Sequence, residues 1–529
     1  MPELTWIGKE KVINHHQDVP YRVLEHKYGF SLENGESEKE TKSGNKIIHG
    51  DNLEALKALL PEYEGKIKCI YIDPPYNTGN EKWVYNDNVN HPKIKKWLND
   101  VVGTEGEDLT RHDKWLCMMY PRLKLLHKLL SDDGIIFVSI NYANEHAHLK
   151  CICDEIFGRN NFIGELTWES TTQPINSGSA KFKLQQKVEP ILFYSKDKKT
   201  QIGYILKEIE SGLKYPHKGK LGSCRFEIIE KSDAGGYNRP TMKFPILGQL
   251  PREGKRWQIG ETTAKYLINN NRIEIIDGIV KMAVYPEDEL DKRKFIPFWS
   301  HLSADYVGTA QTGKDLLNTI MGYPVGFDTV KPTLLIEELL SHFDKNAIIL
   351  DSFAGSGTTG HAVLNLNKDG GNRKFILVEM EDYANDITAE RVKRVINGYG
   401  EGNKRVEGIA GEFDYYELGE RLFLEDNNLN EQVGEEKIRE YIYYTETKEF
   451  LSRKRTEEDK YLLDNFLNTG YYFYYEEDSL TTLSVDSLNI VTQKAEQYVI
   501  YADVCLLDKD FMLKNNIIFK KIPRDIKRF

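Results

Sequence analysis

Asp73-Pro-Pro-Tyr-Asn-Thr-Gly79 places a carboxylate, two rigid imino acids and a flat ring in one short string. The prolines fix their φ angles and remove two backbone donors. What faces outward is carbonyl oxygen together with the Asp73 carboxylate. The exocyclic amino group of a nucleobase offers two N–H donors, and the Asp73 carboxylate and Pro74 carbonyl can accept both. Held in this way, the nitrogen lone pair is drawn out of conjugation with the ring and aimed at an electrophile placed in line. Positioning supplies much of the acceleration of such a step, and no covalent enzyme intermediate is needed. A base inside a duplex must first be extruded, at a cost of a few kcal/mol. Stacking on Tyr76 returns ~1–3 kcal/mol. A proline-rich turn leaving a strand is the plain alternative for Asp-Pro-Pro alone. Tyr76, the strand before it and a glycine-rich loop further along favour the chemical reading.

That loop is Asp351-Ser-Phe-Ala-Gly-Ser-Gly-Thr358. Gly355 and Gly357 permit tight turning and close approach of backbone to a ligand. The helix expected to start at Thr358 presents free N–H groups suited to a carboxylate, such as the methionine end of S-adenosylmethionine. The string lacks the lysine of a nucleotide-triphosphate P-loop. Glu379, at the end of the next expected strand, is placed to accept both hydroxyls of a ribose. Asp51 has two readings of equal weight: acceptor for the cofactor's adenine amine, or charge at the start of the following helix. Lys331, before Pro332, is a further candidate on the cofactor side.

These residues need elements to carry them. Lys46–His49 reads as a strand, and a helix is expected from Leu53 to about Leu60. Lys66–Ile72 reads as a buried strand that ends at Asp73. The segment 77–106 is polar and irregular. A helix is expected over Trp115–Leu130, stopped by Asp132-Asp133-Gly134, then a strand over Ile135–Ile140 and a helix over Ala147–Phe157. From Phe162 to about Asp328 the pattern is irregular, with a short strand at Val188–Tyr194 and a polar loop over Thr171–Lys187. Regularity returns with a helix over Pro332–Phe343, strands at Ala347–Leu350 and Lys374–Val378, and helices over Thr358–Leu366 and Tyr383–Ile396. Such alternation predicts an α/β fold with a parallel sheet covered by helices.

Net charge is −11, but its distribution matters more than its sum. Lys and Arg are in excess across 161–300, and acidic residues across the tyrosine-rich stretch 401–529. A basic middle is compatible with a confined phosphate-binding surface. The six cysteines, at 69, 117, 151, 153, 224 and 505, include no C-x-x-C pair. Cys151 and Cys153 read as small buried helix residues, and no metal site is expected. No basic region followed by an apolar core opens the chain, and no long apolar run interrupts it. The expectation is a cytoplasmic protein.

The two strings, in this order, resemble the β group of amino-methyltransferases of DNA. The extended forms narrow the resemblance: Tyr71-Ile-Asp-Pro-Pro-Tyr-Asn-Thr-Gly79, Lys114-Trp-Leu-Cys-Met-Met-Tyr-Pro-Arg-Leu-Lys124, Asp154-Glu-Ile-Phe-Gly158 and Phe353-Ala-Gly-Ser-Gly-Thr-Thr-Gly-His361. They are similar to the modification (Mod) subunits of bacterial type III restriction-modification systems, over about 46–400. The resemblance implies a Rossmann-like AdoMet-dependent methyltransferase fold in circularly permuted order, with an inserted target-recognition domain and a C-terminal extra region. The corresponding boundaries are an N-terminal extension to 45, a catalytic half over 46–160 and a target-recognition region over 161–328. A cofactor half over 329–400 and a dimer or partner-docking region over 401–529 complete them. It also implies methylation of adenine N6 in double-stranded DNA with S-adenosylmethionine as donor, a homodimer, and a restriction (Res) helicase-nuclease partner.

Carried onto this chain, the target pocket is Asp73, Pro74, Pro75 and Tyr76. The cofactor pocket is Asp51, Lys331, Asp351, Phe353, Gly355, Ser356, Gly357, Thr358 and Glu379. One departure stands out. Such proteins usually continue after strand 135–140 with two aspartates and an Asn-Glu pair, where this chain has Asn141-Tyr-Ala-Asn-Glu145. Glu145 is the candidate substitute for the missing acids. Two alternatives share the motifs: a cytosine-N4 methyltransferase, in which Ser is more usual at position 73, and a non-catalytic DNA-recognition subunit, against which the intact motifs argue.

Overall fold

Except at Lys68, the strand Ile67–Ile72 is apolar and buried, as a central strand with helices on both faces must be. The computed structural model describes residues 3–77, 111–174, 184–200, 206–208, 214–233, 239–289, 295–327 and 329–524. In it this strand lies inside an eleven-stranded sheet. In chain order the strands are β1 (Arg22–Ser31), β2 (Gly35–Ser37), β3 (Lys46–His49), β4 (Ile67–Ile72), β5 (Leu130–Ser139), β6 (Phe162–Glu169), β7 (Val188–Ser195), β8 (His301–Leu302), β9 (Ile348–Asp351), β10 (Lys374–Glu379) and β11 (Glu412–Arg421). Across the sheet they run β8-β6-β7-β5-β4-β9-β10-β3-β11-β1-β2. From β5 to β11 all neighbours are parallel. β7 is antiparallel between β5 and β6, and β1 is antiparallel to β11.

The strand order reverses between β4 and β9. From β9 the chain passes through helix Thr358–Leu366 to β10 on one side. From β4 it passes toward β5, on the other, by way of helix Arg111–Leu129. Ligands of open α/β sheets bind outside the strand ends at such a reversal. The half bearing the glycine loop follows the half bearing Asp73, which is the permuted order expected from the sequence.

Several expectations are corrected. Helix Asn52–Tyr63 continues through Pro61, because proline in the last turn removes one backbone bond without ending the apolar face. Asp132-Asp133-Gly134 does not follow the helix as a stop. The helix ends at Leu129 and β5 begins at Leu130, with a register shift against β4 that absorbs these residues. Cys153 is buried but Cys151 is exposed, since positions two apart lie on different sides of a helix.

The expected boundaries also move. Residues 161–328 are not one region: β6 and β7 complete the main sheet, and the separate compact unit is Leu206–Phe298. That unit has its own four-stranded antiparallel sheet and a core around Trp257, Ile246 and Ile273. Residues 1–45 and 401–529 are not appendages. β1 and β11 extend the sheet beyond β3, a pairing between distant segments that no local pattern reveals. Tyr444, on helix Glu435–Thr447, enters the main core and donates to Glu64. Beyond it, Leu462–Phe466, Thr469–Phe473, Gln497–Ala502 and Ile517–Lys521 form a small sheet. The irregular segment expected over 77–106 lies, after Asn77, outside the described residues, as does the middle of the loop 171–187. No helix among the described residues is long and apolar enough to cross a membrane.

Asp51 caps helix Asn52–Tyr63: its Oδ1 accepts from the Leu53 N–H at 2.8 Å and the Glu54 N–H at 3.3 Å. Asp51→Ala is therefore expected to cost about 1 kcal/mol, read as an earlier urea transition, whereas Asp51→Asn retains most of the cap. Equal stability of Asp51→Ala and the parent would contradict the capping role.

Candidate active site

Asp73 leaves the carboxyl end of β4 beside the end of β9. The register pairs Ile349 with Cys69 and Leu350 with Ile70, so the chain turns out of both strands at one level. Asp73 and Gly355 consequently line a single cleft, together with Lys331, Asp351 and Phe353. The turn after Asp73 is held from behind. Trp115 Nε1 donates to the Pro75 carbonyl at 2.6 Å. Asn77, in the left-handed region at φ 55°, donates from its side-chain amide to the Arg111 carbonyl at 3.1 Å and to Glu145. Of the two proline carbonyls, that of Pro75 is thus taken up by the scaffold.

The charges at the mouth of β4 are coupled. Lys331 Nζ lies 2.8 Å from Asp73 Oδ2, 2.7 Å from Tyr76 Oη and 3.5 Å from Glu189 Oε2. Tyr76 donates from Oη to Glu189 at 3.0 Å. The ammonium also sits 5.0 Å from the centre of the Tyr76 ring and 5.5 Å from that of Trp168. Lys331 is buried. Burial alone would depress its pKa, but Asp73 and Glu189 outweigh that penalty and hold it above the usual lysine value. The Tyr76 phenol is pushed well above its ordinary value, chiefly by burial and then by the two carboxylates, so it stays protonated and serves as a donor.

The glycine loop is shaped by carboxylates at two strand ends. Asp351 accepts from the Phe353 N–H at 3.1 Å and the Thr359 hydroxyl at 2.5 Å. Glu379 accepts from the Gly355 N–H at 2.7 Å and the Glu381 N–H at 3.0 Å. Burial pushes both acids up to about 7, against the lowering effect of these hydrogen bonds. Gly355 has φ 51°, and a Cβ there would meet nothing nearer than the Phe353 carbonyl at 4.0 Å. Gly357 has φ 75°, and its Cβ would press to 2.8 Å from the Thr388 carbonyl. The first glycine keeps an open cradle on the cleft, and the second lets the following helix pack tightly.

The cradle and the buried Glu379 carboxylate fit a nucleoside with an amino-acid tail. The expected cofactor residues divide accordingly. Gly355 and Phe353 line the cleft, and Glu379 grips the loop that forms it. Ser356 and Thr358 also line it, but their hydroxyls accept from the buried Arg391, at 3.0 and 2.7 Å. Burial lowers the Arg391 guanidinium to about 9. Asp51 caps its helix and contacts Arg122 at 3.3 Å. Lys331, expected beside the cofactor, lines the same cleft as Gly355 and Phe353 and also contacts Asp73.

Glu189, Trp115 and Arg391 are functional supports that the sequence reading missed. Glu189 had a visible signal: a lone acid at the start of the otherwise apolar strand β7. Arg391 had none, since an arginine in an amphipathic helix reads as a solvated charge.

A DNA methylase family model (N6/N4 methyltransferases) matches residues 67–390. The chain is 33% identical over 367 residues to the type III restriction-modification enzyme StyLTI Mod subunit of Salmonella typhimurium, covering 65% of this chain and 54% of that one. It is 30% identical over 444 residues to the EcoP15I Mod subunit of Escherichia coli, covering 72% and 65%. It thus spans about half to two thirds of the length of these Mod relatives. It is also 31% identical over 360 residues to the type II methyltransferase M.KpnI of Klebsiella pneumoniae, covering 63% of this chain and 80% of that one. With both motifs on one cleft and the match running across them, the chain belongs to the N6/N4 DNA methylase family.

Proposed function

We propose that this protein transfers a methyl group from S-adenosylmethionine to N6 of a flipped adenine in duplex DNA, as the modification subunit of a type III restriction-modification system. The observation that carries this reading is the shared cleft: the acceptor array at Asp73 and the cradle at Gly355 open onto one space. S-adenosylmethionine supplies an electrophilic sulfonium methyl when bound. Glu379 would hold its ribose hydroxyls and the Gly355 segment its amino-acid end. Asp73 and the Pro74 carbonyl accept the two N–H groups of the adenine amine. Tyr76 offers its ring to the base, while its hydroxyl stays anchored on Glu189. Lys331 holds Asp73 in place through its 2.8 Å contact with Oδ2. Aspartate rather than serine at position 73 favours adenine over cytosine by resemblance. A second copy of the chain and a restriction helicase-nuclease subunit are the partners of this reading.

Three outcomes are expected. DNA incubated with the protein and S-adenosylmethionine, then digested to nucleosides, yields N6-methyladenine by mass spectrometry. Asp73→Ala abolishes that product while cofactor binding stays within a few-fold. N4-methylcytosine as the product, or undiminished turnover in Asp73→Ala, overturns the reading.

Cofactor affinity depends on pH through Glu379. A ribose is held by the carboxylate form, and the folded pKa is about 7. Affinity therefore weakens as pH falls through 7, approaching about tenfold per unit below it, and Glu379→Gln binds weakly with a flat profile. The same shift opposes stability in the unliganded protein. Between the ordinary 4.5 and about 7 the folded state keeps a proton that the unfolded chain has lost. Stability from this group therefore declines as pH rises through that window. Calorimetric titration from pH 6 to 8 reads the binding effect directly.

Lys331→Met removes the cation between Asp73 and Glu189. Breaking a buried pair is costly, and turnover is expected to fall on the order of a hundredfold, about 2.7 kcal/mol in the barrier. Cofactor affinity should change much less. Loss of cofactor binding with intact turnover at saturation would return Lys331 to the cofactor side.

A further inference from the structure

Behind the turn that follows Tyr76, three side chains converge on one point. Glu145, fully buried, directly precedes helix His146–Cys153. Its Oε2 lies 2.8 Å from Nδ1 of His148, on the first turn of that helix. Its Oε1 lies 2.6 Å from Nδ1 of His112, at the start of helix Arg111–Leu129, and also accepts from Asn77. The ligand-type atoms of the three residues all fall within 4.8 Å of one another. The imidazole rings meet edge to face, 5.4 Å between centres. Their side chains are 38% and 35% exposed, so solvent reaches the cluster.

We propose that His112, Glu145 and His148 form a binding site for one divalent transition-metal ion, of which Zn²⁺ is the representative. Two imidazoles and one carboxylate are an established donor set for such ions. Mg²⁺ and Ca²⁺ favour oxygen-only shells and are disfavoured by the two nitrogens. Metal–ligand bonds of about 2.0–2.2 Å in tetrahedral geometry separate ligand atoms by roughly 3.3–3.5 Å. The present spacings are those of hydrogen bonds, in which protons hold the place of the ion. Seating the ion requires both imidazoles to move outward, and both side chains are partly exposed. Water completes the shell. Glu145 Oε2 can ligate while Oε1 keeps Asn77, the residue after Tyr76. The ion would then brace the base-holding turn from behind and take no part in methyl transfer.

The test needs neither DNA nor S-adenosylmethionine, so its result is independent of the proposed function. The full chain is stripped with chelator and titrated calorimetrically with ZnCl₂ and, separately, with MgCl₂. Expected are one Zn²⁺ bound per chain, a rise in melting temperature on binding, and no uptake of Mg²⁺. CoCl₂ should give visible ligand-field bands. His148→Asn and His112→Gln, at partly exposed positions, should keep the far-ultraviolet dichroism of the parent. Both should weaken Zn²⁺ binding at least about tenfold and lose the cobalt bands. Absence of Zn²⁺ uptake by the parent, or equal uptake by parent and both variants, overturns the proposal and leaves a hydrogen-bonded cluster only.

Discussion

One cation at the mouth of β4 holds together the groups around the Asp73 motif. Lys331 touches Asp73 Oδ2 at 2.8 Å and the Tyr76 hydroxyl at 2.7 Å, and leans on Glu189 at 3.5 Å. Two carboxylates therefore share one ammonium. The lysine comes from a segment 258 residues away, immediately before helix Thr333–Leu340. An ion pair thus ties the two halves of a permuted sheet together where they have to cooperate. A buried pair of this kind adds little net stability compared with apolar packing. Its retention makes sense as positioning: it fixes Asp73, the Tyr76 hydroxyl and Glu189 relative to one another.

The cofactor side follows the opposite logic. Among the described residues Glu379 is held by backbone N–H groups, those of Gly355 and Glu381, and by no side-chain cation. Burial has pushed it up to about 7, against the lowering effect of these bonds. Arg391 stiffens the loop without entering the cleft, by donating to Ser356, Thr358 and Thr333 from behind.

The sequence was most legible where chemistry is local. Asp73-Pro-Pro-Tyr and the glycine loop could be placed on strand ends because apolar runs precede them, and helix Thr358–Leu366 was delimited to the residue. The contact of Lys331 with Asp73 is made across the strand reversal between β4 and β9, which spacing alone does not encode. Asp51 was ambiguous for a physical reason: a strand-end acid preceding a helix is well placed for either capping or ligand binding. Glu189 escaped notice because its role depends on β7 entering the main sheet. The sequence reading put that strand in a separate region, since irregular polar residues surround it.

The same distance problem explains why 1–45 read as an extension and 401–529 as a dimer or partner-docking region, although both supply strands of the main sheet. β3 would be an open edge if the sheet ended there, with unpaired backbone groups beside the cofactor-side strands. β11, from beyond residue 411, covers that edge in parallel, and β1 covers β11 in turn. Behind β3 come Gly50, whose N–H donates to the Glu379 carbonyl at 2.9 Å, and Asp51, which starts the next helix. The position of Glu379 is therefore supported through β3 by strands from both termini. The segments flanking the two motifs therefore support the strand that carries Glu379, because they close the outer edge of its neighbour β3.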